Sequence, residues 1–166
     1  MTAEAKKAKS AALINAADKS LLAPRDMEKA LLALVRTSRQ PVPSGRGALV
    51  RTALESLALE YNYRLDAIGD VTGSRPEAVY MVGGGTHNKL LCQLTADACG
   101  VTVHAGADQC TALGNALIQA LALGILKDKE EIRQVMRDSF AMTAYEPKDA
   151  SAWANKRKRY KDLQKL

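Results

Sequence analysis

Aromatic side chains are scarce, at 4% of the 166 residues with one Trp and one Phe. A core short of rings has to be built from Leu, Ala, Val and Ile, which suits packed helices better than a β-sandwich. Long apolar runs are missing too. No stretch reaches the ~18 residues that a membrane-crossing helix needs, so no transmembrane span is expected. Cysteine is limited to Cys92, Cys99 and Cys110. The number is odd and no Cys-x-x-Cys pair occurs, so no zinc site is expected. Cys92 and Cys99 share a face if their segment is helical, and they read as buried, reduced thiols of a cytoplasmic protein. The first residues carry Glu4 and three lysines with no apolar stretch after them, so no signal peptide is expected.

What is present is the composition of a folded protein: 47% hydrophobic and 25% charged residues, in a length that suits one domain. The formal charge is +6. Lys6, Lys7 and Lys9 near the start and Lys156, Arg157, Lys158, Arg159, Lys161 and Lys165 near the finish carry most of the excess. Such blocks read as solvated ends. A nucleic-acid tail would place base-stacking aromatics beside the charge. Trp153 and Tyr160 are nearby, but the middle of the chain contains no nucleic-acid module, and nucleic acid is not an expected partner.

Along the chain, residues 1–12 are Ala/Lys-rich and read as disordered or a frayed helix. Leu13-Ile14-Asn15 reads as a short extended or loop segment. Pro24 is placed at the first turn of a helix with Met27, Ala30, Leu31, Leu34 and Val35 in helical spacing. Gln40-Pro41-Val42-Pro43-Ser44-Gly45 is a stiff connection, because each proline excludes helix before it. The stripe Leu49, Ala53, Leu57, Tyr61, Leu65, Ile68 predicts a long helix over about 46–68. Ala78 to Val82 then reads as a buried strand running into Gly83-Gly84-Gly85. A helix over Asn88–Cys99, a strand over Val101–His104 and a helix over Thr111–Leu123 follow, the last with small residues Ala112, Gly114 and Ala116. The result is a small βαβα unit with parallel strands in a helix-rich α/β chain. A short helix (129–137), an extended stretch (140–145) and a charged helix from about Ala150 complete the reading. Two parallel strands make a poor independent core, so the sheet reads as part of a larger one.

A glycine triplet at the carboxyl end of a strand leaves room for a ligand against the backbone, and the following helix start favours phosphate. Gly83, Gly84, Gly85, Thr86 and Asn88 are therefore the candidate nucleotide site, with a plain tight turn as the alternative. The P-loop pattern fails, because no glycine precedes Lys89 and Leu90 follows it. The Rossmann pattern fails at Asn88, and His104 stands where its acidic residue belongs. His87 lies in the turn; His104 reads as structural; Asp97 reads as a hydrogen-bonding helix residue. No Ser/His/Asp triad or carboxylate dyad can be assembled, so no catalytic residue and no metal ligand is assigned.

The run Val82-Gly83-Gly84-Gly85-Thr86-His87-Asn88-Lys89-Leu90-Leu91 followed by Gln93-Leu94-Thr95-Ala96-Asp97-Ala98 resembles the C-terminal domain of FGGY-type carbohydrate kinases, most closely their rhamnulokinase branch. Ala105-Gly106, Thr111 to Asn115, Gln40 to Pro43, Glu55 to Leu59, Ser139-Phe140 and Tyr145-Glu146-Pro147 extend the likeness over residues 13–150. The resemblance implies a partial RNase H-like domain of the actin-like ATPase fold, with residues 151–166 as a charged terminal helix. It implies ATP with Mg2+ as cofactor, the metal's ligands lying outside this chain. Gly84 is expected against ATP and Asn88 hydrogen-bonded to it. A sugar substrate is expected to be held by an N-terminal domain that has no counterpart here, as has the catalytic aspartate. The chain is thus expected to be inactive alone, and a complementing kinase half is an expected partner. The alternatives are another such kinase, a xylulokinase or fuculokinase, and a non-catalytic interaction module with basic ends. Two departures stand out: Gly106-Ala107-Asp108-Gln109-Cys110 replaces the usual Gly-Pro-Val-Glu-Ala, and Ala16 stands where proline is common.

Overall fold

The computed structural model describes residues 2–9, 11–149 and 151–165. Seven helices and three strands follow in the order α1 (Thr2–Lys7), α2 (Met27–Thr37), α3 (Gly45–Thr72), β1 (Ala78–Met81), α4 (Lys89–Cys99), β2 (Thr102–Ala105), α5 (Cys110–Ala122), α6 (Lys129–Ser139), β3 (Thr143–Tyr145) and α7 (Ala154–Leu163). Asp26 caps α2 by accepting from the Lys29 amide, so that helix begins at Met27 and Pro24 lies before its first turn. α3 runs to Thr72, one turn beyond the apolar stripe, and stops where Gly73 takes φ 77°.

β1 and β2 pair in parallel, with Val79 opposite Val103 and Tyr80 opposite His104. The stretch expected only to be extended supplies β3, which pairs antiparallel with β2. The sheet is therefore mixed and three-stranded, in the order β1-β2-β3, and not purely parallel. α4 covers one face. Val103 is fully buried there, and the Cys92 thiol lies 3.6 Å from the Met81 sulfur. The other face carries Tyr80 stacked on His104, with ring centroids 5.0 Å apart. β1 was expected to be buried, but Tyr80 is 67% and Val82 47% exposed. β1 is an edge strand, and its outward side chains lie on the uncovered face.

The main core forms where α3, α4, the Leu13 segment and α7 meet. Leu13, Ala58, Leu59, Leu94, Ala98, Trp153 and Tyr160 are its buried members. A second cluster joins Ala12, Ile14 and Val35. The buried face of α3 takes in only part of the stripe the periodicity marks, Leu49 and Leu65, with Ala53, Leu57 and Tyr61 half-buried. Ile68 is 46% exposed, whereas Thr52, Glu55, Ser56, Glu60 and Asn62 are buried. Each of these polar groups has a partner. Ser56 Oγ accepts from the Ile14 amide at 3.0 Å. Glu55, 2% exposed, takes Arg51 at 2.6 Å and Lys156 at 2.7 Å. Tyr160 donates to Glu60 at 2.8 Å and accepts from the Ala16 amide at 3.0 Å. Proline at position 16 would have no N–H to give, so the departure from the family's residue is matched by a bond that only a non-proline can make.

Both ends differ from the sequence expectation. The 1–12 segment, apart from Met1 and Ser10, which lie outside the described residues, forms α1 and buries Ala5 and Ala12. The reason is Gly47 on α3. A Cβ there would meet Glu4 at 3.1–3.3 Å, so its absence lets the backbone of α1 settle directly onto α3. The basic end is also tied down and not a frayed tail. Trp153 and Tyr160 are buried, Arg157 donates to the Ala98 carbonyl at 3.0 Å, and Arg159 donates to the Ala11 carbonyl at 2.8 Å. Lys156 also sits 4.6 Å over the Trp153 ring. The helix begins at Ala154; the expected start at Ala150 lies outside the described residues.

Replacing Gly47 by Val is expected to unseat α1 at a cost of about 1–3 kcal/mol, read as lost hydrogen-exchange protection around Ala5. Lys156→Ala leaves Glu55 with Arg51 alone and is expected to lower stability by about 2 kcal/mol, read as a lower urea midpoint at unchanged slope. Burial alone would raise the Asp66 carboxyl, but hydrogen bonds from Lys161 and Arg75 outweigh it and hold it below its ordinary 3.8. A depressed folded value adds stability above pH 3.8 that is lost as pH falls through the folded value. Asp66→Asn is therefore expected to flatten the acid limb of the stability curve and leave its slope at neutral pH unchanged.

Candidate functional site

The Gly83-Gly84-Gly85 turn leaves the carboxyl end of β1 and enters α4 through one short helical turn, Gly84–His87. Gly83 has φ 77° and ψ −167°, a region open only to glycine, so this residue is fixed by backbone conformation. Gly84 and Gly85 are different. Neither has positive φ, and a Cβ built on either meets nothing within 4 Å. Both are exposed, and their amides have no hydrogen-bond partner among the described residues. Nothing in the fold requires glycine at these two positions.

The neighbouring groups are largely committed to the turn itself. Thr86 donates its hydroxyl to the Gly83 carbonyl at 2.7 Å and its amide to the same oxygen at 3.1 Å. The Asn88 amide reaches the Gly85 carbonyl. Asn88 Oδ1 accepts from the Leu91 amide at 3.1 Å, which makes Asn88 the N-cap and puts the helix start at Lys89. Its Nδ2 group makes no hydrogen bond among the described residues and remains a donor beside the turn.

A second loop lies against the first. The Gly83 amide donates to the Ala107 carbonyl at 3.1 Å, and His87 Nε2 lies 3.2 Å from Asp108 Oδ2. Ala107 has φ 50°, a value proline cannot adopt. The loss of the family's proline therefore coincides with a different loop conformation. The Asp108 carboxylate reaches His87, a contact that composition and spacing did not point to. The other sequence candidates are structural. His104 stacks under Tyr80. Asp97 accepts from Gln93 at 3.0 Å and from the Lys148 amide at 2.8 Å, which ties α4 to the chain after β3. Cys92 and Cys99 are buried and unpaired, and burial pushes the Cys99 thiol up to about 12, so it stays a neutral core group. Cys110 is half-buried at the start of α5.

Comparison with known proteins gives these features a context. The C-terminal domain model of the FGGY family of carbohydrate kinases matches residues 1–123. A rhamnulokinase of Bacteroides thetaiotaomicron is 41% identical over 141 residues, which is 85% of this chain and 29% of that protein. A rhamnulokinase of Klebsiella pneumoniae is 39% identical over 81% of this chain and 28% of its own length. The fold matches that of Plasmodium falciparum glycerol kinase, solved with ADP, with a TM-score of 0.63 and 19% identity, over 99% of this chain and 32% of that one. The chain thus spans less than a third of the length of these relatives. It belongs to the FGGY family of carbohydrate kinases and carries that family's C-terminal, actin-like fold.

Proposed function

We propose that this chain is the nucleotide-holding part of a rhamnulokinase-like sugar kinase, which transfers the ATP γ-phosphate to a sugar hydroxyl when joined to a sugar-binding part outside this sequence. The observation that carries the reading is the pair Gly84 and Gly85. Glycine there serves neither backbone conformation nor packing, so the space beside it is kept open for something other than this chain. Two adjacent unpartnered amides facing that space are what phosphate oxygens require.

In this reading each residue has a separate task. Gly83 sets the bend, and Thr86 locks it through its two bonds to the Gly83 carbonyl. Gly84 and Gly85 present their amides to the nucleotide. Asn88 fixes the start of α4 through Oδ1 and offers Nδ2 to the ligand. ATP, when bound, supplies the transferable phosphoryl group. Mg2+, when bound with the nucleotide, would supply neutralisation of phosphate charge. The single imidazole and carboxylate beside the turn, His87 and Asp108, already face each other and do not make a metal cage, so we place the metal's remaining ligands outside this chain. The sugar pocket and the catalytic base are placed there too, in a complementing kinase half. Rhamnulose is the sugar favoured by the names of the relatives at 39% and 41% identity. A cytoplasmic location follows from the need for ATP and agrees with three unpaired cysteines. The interaction-module reading loses its motive, since much of the basic end is spent on contacts within the fold.

Isothermal titration with Mg-ATP, on this chain alone and mixed with the preceding portion of a rhamnulokinase, tests the proposal. Saturable binding is expected, in the mixture if not in the chain alone. Gly84→Val is expected to leave the thermal midpoint unchanged, because its side chain meets open space. It is expected to weaken nucleotide binding by about tenfold or more through the clash with ligand. A folded sample that binds no nucleotide in either arrangement, or a Gly84→Val variant that binds like the parent, overturns the reading.

A further inference from the structure

We propose a second binding site, independent of the glycine turn, for a compact anion carrying two or three phosphate groups. It is a cavity of about 580 Å³ between the carboxyl end of α4, the middle of α3 and α7. Its walls carry five basic side chains, Arg75, Arg157, Lys158, Lys161 and Lys165, and two acidic ones, Asp66 and Asp162. Among the described lining residues, basic side chains outnumber acidic ones by three.

The basic groups are positioned and not merely numerous. Arg75 donates Nε to Asp66 at 3.0 Å and Nη2 to Asn62 at 3.0 Å and to the Cys99 carbonyl at 2.9 Å. Its guanidinium plane is thereby held still, while its Nη1 group makes no hydrogen bond among the described residues. Arg157 is held by the Ala98 carbonyl at 3.0 Å. These two bonds also satisfy carbonyls at the end of α4, which offsets part of the negative potential there. Lys161 on α7 reaches the other oxygen of Asp66 at 2.9 Å, and Lys165, just past the end of α7, reaches Asp162 at 3.3 Å, both from exposed positions. Lys158 is exposed on the same helix and has no ion-pair partner among the described residues. A fixed guanidinium flanked by exposed ammonium groups is a general solution for phosphate.

The chemistry selects the ligand class. The volume lies within the range of small-molecule sites. A lining with three more basic than acidic side chains suits a multiply charged anion better than a lone carboxylate. A nucleic acid strand would need exposed rings for stacking, but the nearby Trp153 and Tyr160 are 5% and 1% exposed, and no aromatic side chain lines the cavity.

Inorganic tripolyphosphate is the probe, titrated calorimetrically into the full chain and followed by amide NMR. Saturable binding is expected, with the largest shifts at Gly100 and along α7. The double variant Lys158→Gln, Lys165→Gln, which touches no buried group, is expected to weaken binding about tenfold or more. Gly84→Val is expected to leave tripolyphosphate binding unchanged, and so is Lys19→Gln, a charge change far along the chain. Absence of binding overturns the proposal. So does loss through Gly84→Val with the lysine pair silent, which would put the anion at the glycine turn. An equal loss through Lys19→Gln also overturns it, because that marks attraction to net charge alone.

Discussion

A carboxylate cannot remain in a core unpaired, and α3 buries two. Desolvating Glu55 and Glu60 is tolerable only where cations and hydroxyls meet them; Arg51 and Arg64 do so from one turn away at 2.6 Å each, and a further partner of each comes from far along the chain. Lys156 lies 101 residues from Glu55, and Tyr160 lies 100 residues from Glu60. The same face of α3 uses Ser56 to hold Ile14, and Tyr160 in turn holds Ala16. The need to satisfy α3 therefore fixes where the N-terminal segment and α7 dock. The Leu13 segment shows the converse. It is buried without helix or strand, so its backbone groups have to be satisfied by side chains. Gln40 does this twice, accepting from the Leu13 amide and donating to the Leu13 carbonyl.

This scaffold holds α4 by both its ends. Along its length α4 buries Leu91, Cys92, Leu94, Thr95, Ala96, Ala98 and Cys99, an almost continuous inner face. At its start, Asn88 caps the first turn. At its finish, Gly100 ends it in the left-handed region and Arg75 and Arg157 bind its last carbonyls. A helix so fixed makes a steady platform for the turn before it. The turn itself relies on one strained residue, Gly83, and on Thr86, so its exposed amides are pre-oriented and lose little freedom when a ligand arrives. The contact of Gly83 with Ala107 and of His87 with Asp108 couples the turn to the loop after β2.

How much of this was readable beforehand depends on whether the cause is local. The strand, glycine turn, capped helix and second strand were all placed within a residue or two, because caps, glycines and β-prone runs act over a few positions. The candidate site was readable for the same reason, as a turn of five neighbouring residues. The polar part of α3's buried face was not, since several of its members are met by partners distant in sequence, Ile14, Lys156 and Tyr160, and periodicity marks apolar residues alone. The docking of α1 escaped notice because its cause is the missing side chain of Gly47, and a glycine inside a helix signals nothing until a neighbour is seen against it. The basic end was read as solvated because charge blocks usually are. Lys156 and Arg157 depart from the rule by lying next to two buried aromatic residues. The mixed sheet was missed because β3 is three residues long and gains its identity only from pairing with β2.

The surfaces left open bear on why the kinase proposal needs a second part. The edge of β1 is unpaired among the described residues, its strand Ala78–Met81 has no charge or proline to discourage pairing, and Tyr80 and Val82 are exposed beside it. α5 adds to this. It is rich in Leu, Ala and Ile, yet no residue in it is buried, and Ile118 is 57% exposed. An apolar helix and an unprotected strand edge on one small molecule are costly to leave in water and invite association. In the proposed reading, a complementing half that supplied a strand to β1 would cover that edge. The carboxyl end of β1 is where the glycine turn begins. Covering that edge would therefore stiffen the nucleotide turn from its open side, and in this view binding of ATP and completion of the sheet are linked through β1.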